Sequence, residues 1–383
     1  MPSKTRTVLI QVGLFIASFI TTTFAGAEWC FGKSIFYGEY TWNDFLSGMQ
    51  FSIPFLLILT VHEFGHYFTA MYHKIRASLP YYIPFPPNPI IPSIGTLGAV
   101  IRIEEKVRSN RQHFDIGLAG PLAGFILALA IIVYGFATLP PAEYVFNFHP
   151  EYKQFGLDYA KHVYSPEYMK DHSALDLQIG DNLLYMFCEK FVADPSRIPN
   201  PHELMHYPFL LAGFIALFFT SMNLLPIGQL DGGHVTYGLF GSRGHKLIAT
   251  IFFLLLTFYS GLGLVTPTLP QTTLLWAVPA LVLFYYSCFA ALKISKRDRI
   301  MYALILFAAQ FVISWGFPQI NGYSGWLLFG FIVSRFVGIE HPPSEIEMPL
   351  DPKRVILGWV TLLIFILCFS PTPLVIEVVG GNG

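Results

Sequence analysis

Charged residues are scarce in this sequence. Asp, Glu, Lys and Arg make up 12% of the 383 residues, and 54% are hydrophobic, whereas soluble domains carry about 25% charged residues. The mean hydropathy is +0.53. A composition this apolar excludes an ordinary soluble protein, and a formal net charge of -1 provides no overall attraction to nucleic acid. The chain is therefore predicted to be an integral membrane protein.

Cysteine is also scarce, with four residues in the whole chain. None of them forms a C-x-x-C pair or a zinc-finger spacing, which excludes a cysteine-based metal or redox motif. Cys30 and Cys188 fall on the same predicted side of the membrane and are therefore able to form a disulfide. Cys288 and Cys368 lie in predicted spans and are expected to be free thiols.

Long apolar runs are what the sequence has in abundance. The candidate spans lie near 8–26, 49–73, 113–137, 207–238, 246–266, 272–292, 299–316, 323–338 and 354–375. With a cytoplasmic N-terminus, alternating spans place most of the 23 Lys and Arg residues on the cytoplasmic side, as the positive-inside rule requires. The predicted fold is an all-α polytopic membrane protein with about nine transmembrane helices.

The first span is open to two interpretations. Lys4 and Arg6 precede an apolar run that ends in "AGAE" at 25–28, as in a cleaved secretory signal. The apolar run is longer than the usual core of about 7–15 residues in such signals. An uncleaved anchor is therefore the favoured interpretation.

The most informative motif is "TVHEFGHYFT" at 60–69. His62 and His66 are four residues apart, so they share one face of a helix. Two imidazoles at this spacing can bind one Zn²⁺, with Glu63 beside a zinc-activated water as the general base. A lone histidine in a span is usually a packing residue, but three ionisable groups together in an apolar run indicate a metal site.

A second H-E-x-x-H pattern occurs in "PHELMHYP" at 201–208. Pro208 closes it, so His202 and His206 are expected on no more than a one-turn helix at the outer membrane surface. His202 and Glu203 are predicted to lie in a solvated segment. A secondary metal site is the alternative that this pattern leaves open.

A catalytic zinc needs a third protein ligand, and Asp231 is the best candidate. It follows an apolar segment that Pro226 and Gly228 interrupt, as happens where a span lines a cavity. Its distance along the chain from the next basic residue places it at about the same depth as His66, in the cytoplasmic half of the bilayer. Two neutral imidazoles with one Asp and one Glu carboxylate would also balance the charge of Zn²⁺.

Three motifs, in the order in which they occur along the chain, resemble those of the site-2 protease family of intramembrane zinc metalloproteases. HEFGH at 62–66 is followed by "GLAGPLAG" at 117–124 and then by "NLLPIGQLDGGH" at 223–234. The resemblance covers roughly residues 49–240. It implies proteolysis in or near a transmembrane segment of a membrane protein substrate, as in regulated intramembrane proteolysis, with the lipid bilayer as the surroundings and no nucleic acid partner.

The resemblance also implies a role for individual residues. His62, His66 and Asp231 would hold one Zn²⁺ per chain, and Glu63 would be the catalytic base. Asn223 would lie near the substrate carbonyl, where an amide can stabilise an oxyanion; a hydrogen bond between helices is the alternative role for it. The oligomeric state and the substrate are not predicted.

Two further segments bear on the site. "PSIGTLGAVIRIEE" at 92–105 favours a small β-hairpin-like re-entrant loop near the active site, whose edge could pair with an unwound substrate; a purely structural loop is the alternative. Small residues in the 117–124 segment are expected to let its helix pack closely against its neighbours.

The predicted organisation has five parts. They are an N-terminal anchor span and outer loop at 1–48, the HExxH span with an inner loop and the glycine-rich span at 49–137, an extracytoplasmic acidic insert at 138–206, the LDGG span at 207–240, and a C-terminal multi-span region at 241–383. In the insert, ten Asp and Glu residues outnumber five Lys and Arg residues. The insert shows no PDZ pattern, in contrast to many members of the family.

Two other functions are compatible with ionisable groups inside a membrane. A multi-span metal transporter, or another non-proteolytic membrane metalloprotein, would also place His and Asp at depth, but it should show polar ligands on several spans. An inactive scaffold would lack the catalytic glutamate, and Glu63 is present. The sequence therefore favours the protease.

Overall fold

The computed structural model describes residues 4–165, 167–168 and 174–379. The chain divides into two compact units. The first unit comprises Met1–Lys106, Ala119–Met222 and Leu363–Gly383, and the second comprises Val107–Leu118 and Asn223–Leu362.

Most of the described chain is helical. The α-helices are α1 (Lys4–Phe31), α2 (Trp42–Tyr72), α3 (Asn110–Ala137), α4 (Tyr159–Val163), α5 (Leu183–Val192), α6 (Pro208–Asn223), α7 (Asp231–Gly261), α8 (Gln271–Cys288), α9 (Lys296–Gly316), α10 (Gly325–Ile332) and α11 (Pro352–Cys368). A π-helical turn, Val333–Val337, continues α10.

Six of the described helices are long and apolar enough to cross a bilayer. They are α1, α2, α3, α7, α8 with its 3₁₀ extension to Leu292, and α9. Two shorter apolar helices, Pro208–Asn223 and Gly325–Val337, lie at two further predicted spans. The prediction of a mainly helical integral membrane protein is confirmed at this level, with six full-length candidate spans among the described residues rather than nine.

The predicted span at 207–238 is not one helix. Helix α6 ends at Asn223, a turn follows, and α7 starts at Asp231 and continues through the run that was predicted as the fifth span. Gly241 interrupts α7 with a φ of 67°, a conformation that glycine adopts readily. Hydropathy alone missed the break after Asn223 because the chain stays largely apolar across it, whereas the interruption at Gly241 lies between the predicted fourth and fifth spans.

In the first unit, α1 and α2 pack at very short range. A Cβ built on Gly48 would lie 2.1 Å from the carbonyl oxygen of Thr23, so only glycine fits there. The hydroxyl groups of Thr23 and Ser52 are 2.8 Å apart in the buried interface. Helix α1 is continuous through residues 25–28.

A β-hairpin follows α2 in the same unit. Strand β1 (Tyr81–Phe85) pairs antiparallel with β2 (Gly95–Val100), with an irregularity between Tyr82 and Pro84. The predicted hairpin segment began at residue 92, so its first strand was missed. Proline in β1 conceals a strand from propensity rules, because proline is tolerated only where the ladder is irregular or at an edge.

The acidic insert folds into short elements within the first unit. Its described residues form three 3₁₀ helices (Ala142–Asn147, Pro150–Asp158 and Pro201–His206), α4, α5 and strand β3 (Ala174–Ile179). Strand β3 pairs antiparallel with β4 (Leu374–Val379), about 200 residues later in the chain. All four cysteines are buried free thiols, so the possible disulfide between Cys30 and Cys188, both in the described part of the chain, does not form.

Candidate active site

Helix α2 carries the H-E-x-x-H motif near its C-terminal end. The helix begins with a capping box, in which the Thr41 side chain accepts a hydrogen bond from the Asp44 backbone N–H and the Asp44 carboxylate accepts one from the Thr41 N–H. It then runs for 31 residues. The Nε2 atoms of His62 and His66 lie 3.1 Å apart, as expected for two imidazoles directed at one point from successive turns.

All three ionisable groups of the motif are buried. His62 is 5% exposed, Glu63 7% and His66 7%. One ligand atom from each of the three lies within 4.8 Å of the others. Burying a carboxylate and two imidazoles together is costly unless a cation or hydrogen bonds compensate, which indicates a functional site.

Glycines of α3 provide the space that the two imidazoles occupy. A Cβ on Gly120 would lie 2.2 Å from Nε2 of His66, and one on Gly124 would lie 3.1 Å from Cβ of His62. A Cβ on Gly65 of α2 would be similarly close to the backbone of Ala119 in α3. The expected close packing of the glycine-rich helix is therefore present, and the nearest neighbours of Gly120 and Gly124 are the two candidate metal ligands.

The donor set fits zinc. Ligand atoms bound to zinc at about 2.0–2.1 Å lie about 3.3–3.4 Å apart at tetrahedral angles, and the two Nε2 atoms are close to that separation at 3.1 Å. Imidazole and carboxylate donors are the ligands typical of catalytic zinc. Zinc is therefore the cofactor that these residues suit.

The two remaining predicted site residues lie in the second unit. Asn223 is the last residue of α6, and Asp231 is the first residue of α7. Gly232 makes this arrangement possible, since a Cβ there would lie 1.9 Å from the carbonyl oxygen of Leu224. Gly228 has a φ of 56°, which again requires glycine. Both side chains are partly exposed, and their roles stay predictions.

The hairpin is attached to α2 beside the motif. The hydroxyl of Tyr82 in β1 lies 2.6 Å from that of Thr60, two residues before His62. Thr21 of α1 donates a hydrogen bond of 2.6 Å to the carbonyl of Gly95 in β2. These contacts hold the hairpin close to the candidate metal ligands.

A histidine cluster in the second unit was not predicted as a group. His113, His234 and His341 place one ring nitrogen each within 4.8 Å of the others. Nδ1 of His234 lies 2.8 Å from Nε2 of His341. Burial lowers the pKa of His341, which favours the neutral form of its ring. The pairing of His234 with His341, 107 residues away, has no local sequence signal.

The second H-E-x-x-H pattern behaves differently from its prediction. It does form a short 3₁₀ helix, Pro201–His206. Glu203, however, is 1% exposed and His206 8%, so the segment is not solvated. His202 stacks on the ring of Tyr164 with centroids 3.8 Å apart, whereas His206 faces His149.

Comparisons with known proteins agree with the candidate zinc ligands on α2. The chain is 27% identical over 228 residues to "Probable zinc metalloprotease EGY1, chloroplastic" of Oryza sativa subsp. japonica, which covers 56% of this chain and 33% of that protein. It is 28% identical over 187 residues to the protein of the same name from Arabidopsis thaliana, covering 49% and 28%. The chain thus spans about a third of the length of the curated relatives it matches.

A third relative is "Probable zinc metallopeptidase EGY3, chloroplastic" of Arabidopsis thaliana, 25% identical over 233 residues, with 57% of this chain and 35% of that protein covered. No solved structure matches the chain. Residues 50–265 match Peptidase family M50, a region of more than half of the chain that contains every predicted site residue. The chain therefore belongs to Peptidase family M50.

Proposed function

We propose that this protein is an intramembrane zinc metalloprotease that hydrolyses a peptide bond in or near a transmembrane segment of a membrane protein substrate. The observation that carries the proposal is the buried group of His62, Glu63 and His66 inside an apolar helix. Membership of Peptidase family M50 and similarity to proteins named as probable zinc metalloproteases support the same activity.

In this proposal His62, His66 and Asp231 hold one zinc ion, which would supply Lewis acidity to water and to the scissile carbonyl. Glu63 is the general base. Its carboxylate accepts a proton from the attacking water and then passes that proton to the amine that leaves. The Asn223 side-chain amide would donate a hydrogen bond to the oxyanion that develops on the carbonyl oxygen.

The proposed membrane arrangement has nine spans, with the N-terminus and the active site on the cytoplasmic side. Three shorter helices, Pro208–Asn223, Gly325–Val337 and Pro352–Cys368, would complete the six full-length candidates. The five-part organisation at 1–48, 49–137, 138–206, 207–240 and 241–383 is part of the same proposal. The lipid bilayer and a transmembrane substrate are the partners that it requires.

Substrate must reach the site as an extended chain, because the carbonyls of a helix are engaged in its own hydrogen bonds. The β1–β2 hairpin has two strands, and a two-stranded ladder has backbone groups along its outer edges that can pair with another strand. Its attachment to α2 through Tyr82 and Thr60 supports a role as the re-entrant loop that binds an unwound substrate segment by β-augmentation.

The proposal is tested with the purified protein in detergent and a model transmembrane substrate. Cleavage is expected for the wild type and for His202→Ala, which alters the other H-E-x-x-H pattern, but not for Glu63→Gln. Substrates with helix-breaking residues near the cut should be cleaved faster. Normal cleavage by Glu63→Gln would contradict the proposed mechanism.

A metal transporter is the second candidate, and the cluster of His113, His234 and His341 is the observation that favours it, because a transport path needs polar ligands beyond one helix. Zinc flux into proteoliposomes separates the two functions. Flux that survives in Glu63→Gln, together with the absence of cleavage by the wild type, would favour transport.

A further inference from the structure

A third group of metal-ligating side chains, besides those on α2 and around His234, lies in the acidic insert. Nε2 of His149 is 3.3 Å from Nε2 of His206. One carboxylate oxygen of Glu203, Oε2, is 3.6 Å from the first of these atoms and 3.7 Å from the second. Three potential ligand atoms from two separate segments therefore converge on one point in the first unit.

The outer nitrogens of both rings are directed at acceptors. Nδ1 of His206 lies 2.8 Å from the backbone carbonyl oxygen of Cys30, so Nδ1 must carry the proton that it donates. Nδ1 of His149 lies 3.3 Å from Oε1 of Glu151 and is assigned the same role. In neutral rings of this tautomer, both Nε2 atoms carry a lone pair instead of a proton.

Glu203 brings further negative charge to the same point. Its side chain is buried, and Oε1 accepts a hydrogen bond from the Tyr164 hydroxyl, which leaves Oε2 facing the two rings. Two lone-pair nitrogens and a carboxylate oxygen repel one another unless a positive charge lies between them. A cation bound between the three atoms would remove this repulsion.

We propose that His149, Glu203 and His206 form a second zinc site, separate from the group on α2. The three atom separations, 3.3, 3.6 and 3.7 Å, are close to the roughly 3.3–3.4 Å expected between ligands at tetrahedral angles around zinc. Two imidazoles and one carboxylate are a common zinc donor set, with a fourth position open to water or another ligand.

The surroundings match those of known metal sites. Metal-binding imidazoles usually donate their other N–H to a carboxylate or a carbonyl, as His149 and His206 do here. The charges of Glu203 and Glu151 together balance that of Zn²⁺, which lowers the cost of holding the ion in a partly buried place. Phe148 stacks on His206 with centroids 4.2 Å apart and shields one side of the cluster.

Such a site would fix the insert to the start of α6. His149 lies between the first two 3₁₀ helices of the insert, and His206 lies two residues before Pro208. The two histidines are 57 residues apart, so a metal bound between them closes a long loop and stabilises the folded insert. The role inferred for the zinc is therefore structural.

The test measures zinc per chain by elemental analysis on the full-length protein equilibrated with Zn²⁺. The background carries His62→Ala, His66→Ala and His341→Ala, so neither the α2 site nor the cluster of His113, His234 and His341 contributes. About one zinc per chain is expected to remain there, and adding His149→Ala should remove it. His162→Ala is the matched control, because His162 is an exposed histidine of the same insert that does not belong to the cluster, and it should leave the zinc content unchanged.

Tyr164→Phe provides a graded variant that leaves all three ligands in place. Loss of its hydrogen bond to Glu203 should weaken zinc binding roughly 10-fold or more, measured by competition with a chelator. Thermal unfolding without zinc shows whether each variant still folds. Zinc binding is compared only among the variants that do.

The inference is overturned if the background variant holds no zinc, or if folded His149→Ala retains it. Either result would mean that protons, rather than a metal, join the three groups. Because the α2 ligands are absent from the background variant, this outcome does not depend on whether the wild type is a protease.

Discussion

The positions of His62 and His66 depend on residues that have no side chain. Gly120 and Gly124 of α3 leave the volume into which the two imidazoles fit, and the rings reach a centroid separation of 4.8 Å. The metal-ligand geometry is thus set by helix packing as well as by the spacing in the motif. This makes the glycine-rich helix part of the site.

Gly120→Ala is expected to lower the cleavage rate about 100-fold, because displacing a catalytic group by about 1 Å can cost that much. The added methyl group would occupy a position 2.2 Å from Nε2 of His66, so the ring must move. Cleavage of a model substrate and zinc content are the measurements.

Gly13→Ala is the control for that variant, since a Cβ at Gly13 has nothing within 4 Å. Gly124→Ala should fall between the two, because its nearest contact is 3.1 Å. Equal rates for all three variants would show that α3 does not position the ligands.

At the residue scale, the sequence predicted the α2 group well and the insert group poorly. His62 and His66 are neighbours because a helix places residues i and i+4 on one face, so local spacing was enough. His149 and His206 meet only after the insert has folded. The repeated H-E-x-x-H pattern pointed to His202, which instead stacks on Tyr164.

Among the elements, the β1–β2 hairpin is the one most closely tied to the proposed substrate site. It is held to α1 as well as to α2. Gly95 has a φ of 88°, and a Cβ there would lie 2.2 Å from Cα of Thr22. The backbone of β2 therefore lies directly against α1, and a larger residue would push the hairpin away.

Gly95→Ala and Gly98→Ala form a matched pair that tests this contact. Both glycines have positive φ, so both variants incur a strain of about 1–2 kcal/mol. Only Gly95→Ala also creates a clash, since a Cβ at Gly98 has nothing within 4 Å. Gly95→Ala should therefore have the lower unfolding temperature and the slower cleavage.

The same loss of stability and rate for both variants would indicate that the contact with α1 does not matter. A rate that falls in Gly95→Ala while zinc content stays at the wild-type level would place the effect on substrate binding by the hairpin.

Hydropathy alone does not predict where every helix begins and ends. Asn223 and Asp231 both belong to one apolar run, yet a helix ends at the first and another begins at the second. Pro226 and Gly228 were recognised as an interruption, which proved to be a complete turn. The non-helical backbone at Gly241, by contrast, falls between the predicted fourth span, which ends at 238, and the fifth, which starts at 246. The polar residues from Ser242 to Lys246 mark this break in the sequence.

At the scale of the whole molecule, segments that are far apart in the chain pair with one another within each unit. Strand β4 near the C-terminus pairs with β3 of the insert along six residue pairs. In the second unit, Arg354 at the start of α11 makes two hydrogen bonds to Asp115 of α3, at 2.7 and 2.6 Å. Neither partnership has a local sequence signal, because each joins segments about 200 residues or more apart.

Deleting residues 374–383 should make the insert more sensitive to protease. Strand β3 would lose its paired strand, and losing even 1.4 kcal/mol of local stability would raise the open population roughly tenfold. The rate of proteolytic nicking in the insert measures this. An unchanged rate would mean that β4 does not stabilise the insert.

In the proposed mechanism, His62, His66 and Asp231 hold the catalytic zinc and Glu63 is the base. The most direct measurement is zinc content and substrate cleavage for the wild type, Glu63→Gln and Asp231→Ala, each in a background in which His149→Ala removes the proposed insert site. Glu63→Gln should keep its zinc and lose cleavage, and Asp231→Ala should lose both. Full zinc and normal cleavage in Asp231→Ala would contradict the assigned third ligand, and normal cleavage in Glu63→Gln would contradict the mechanism as a whole.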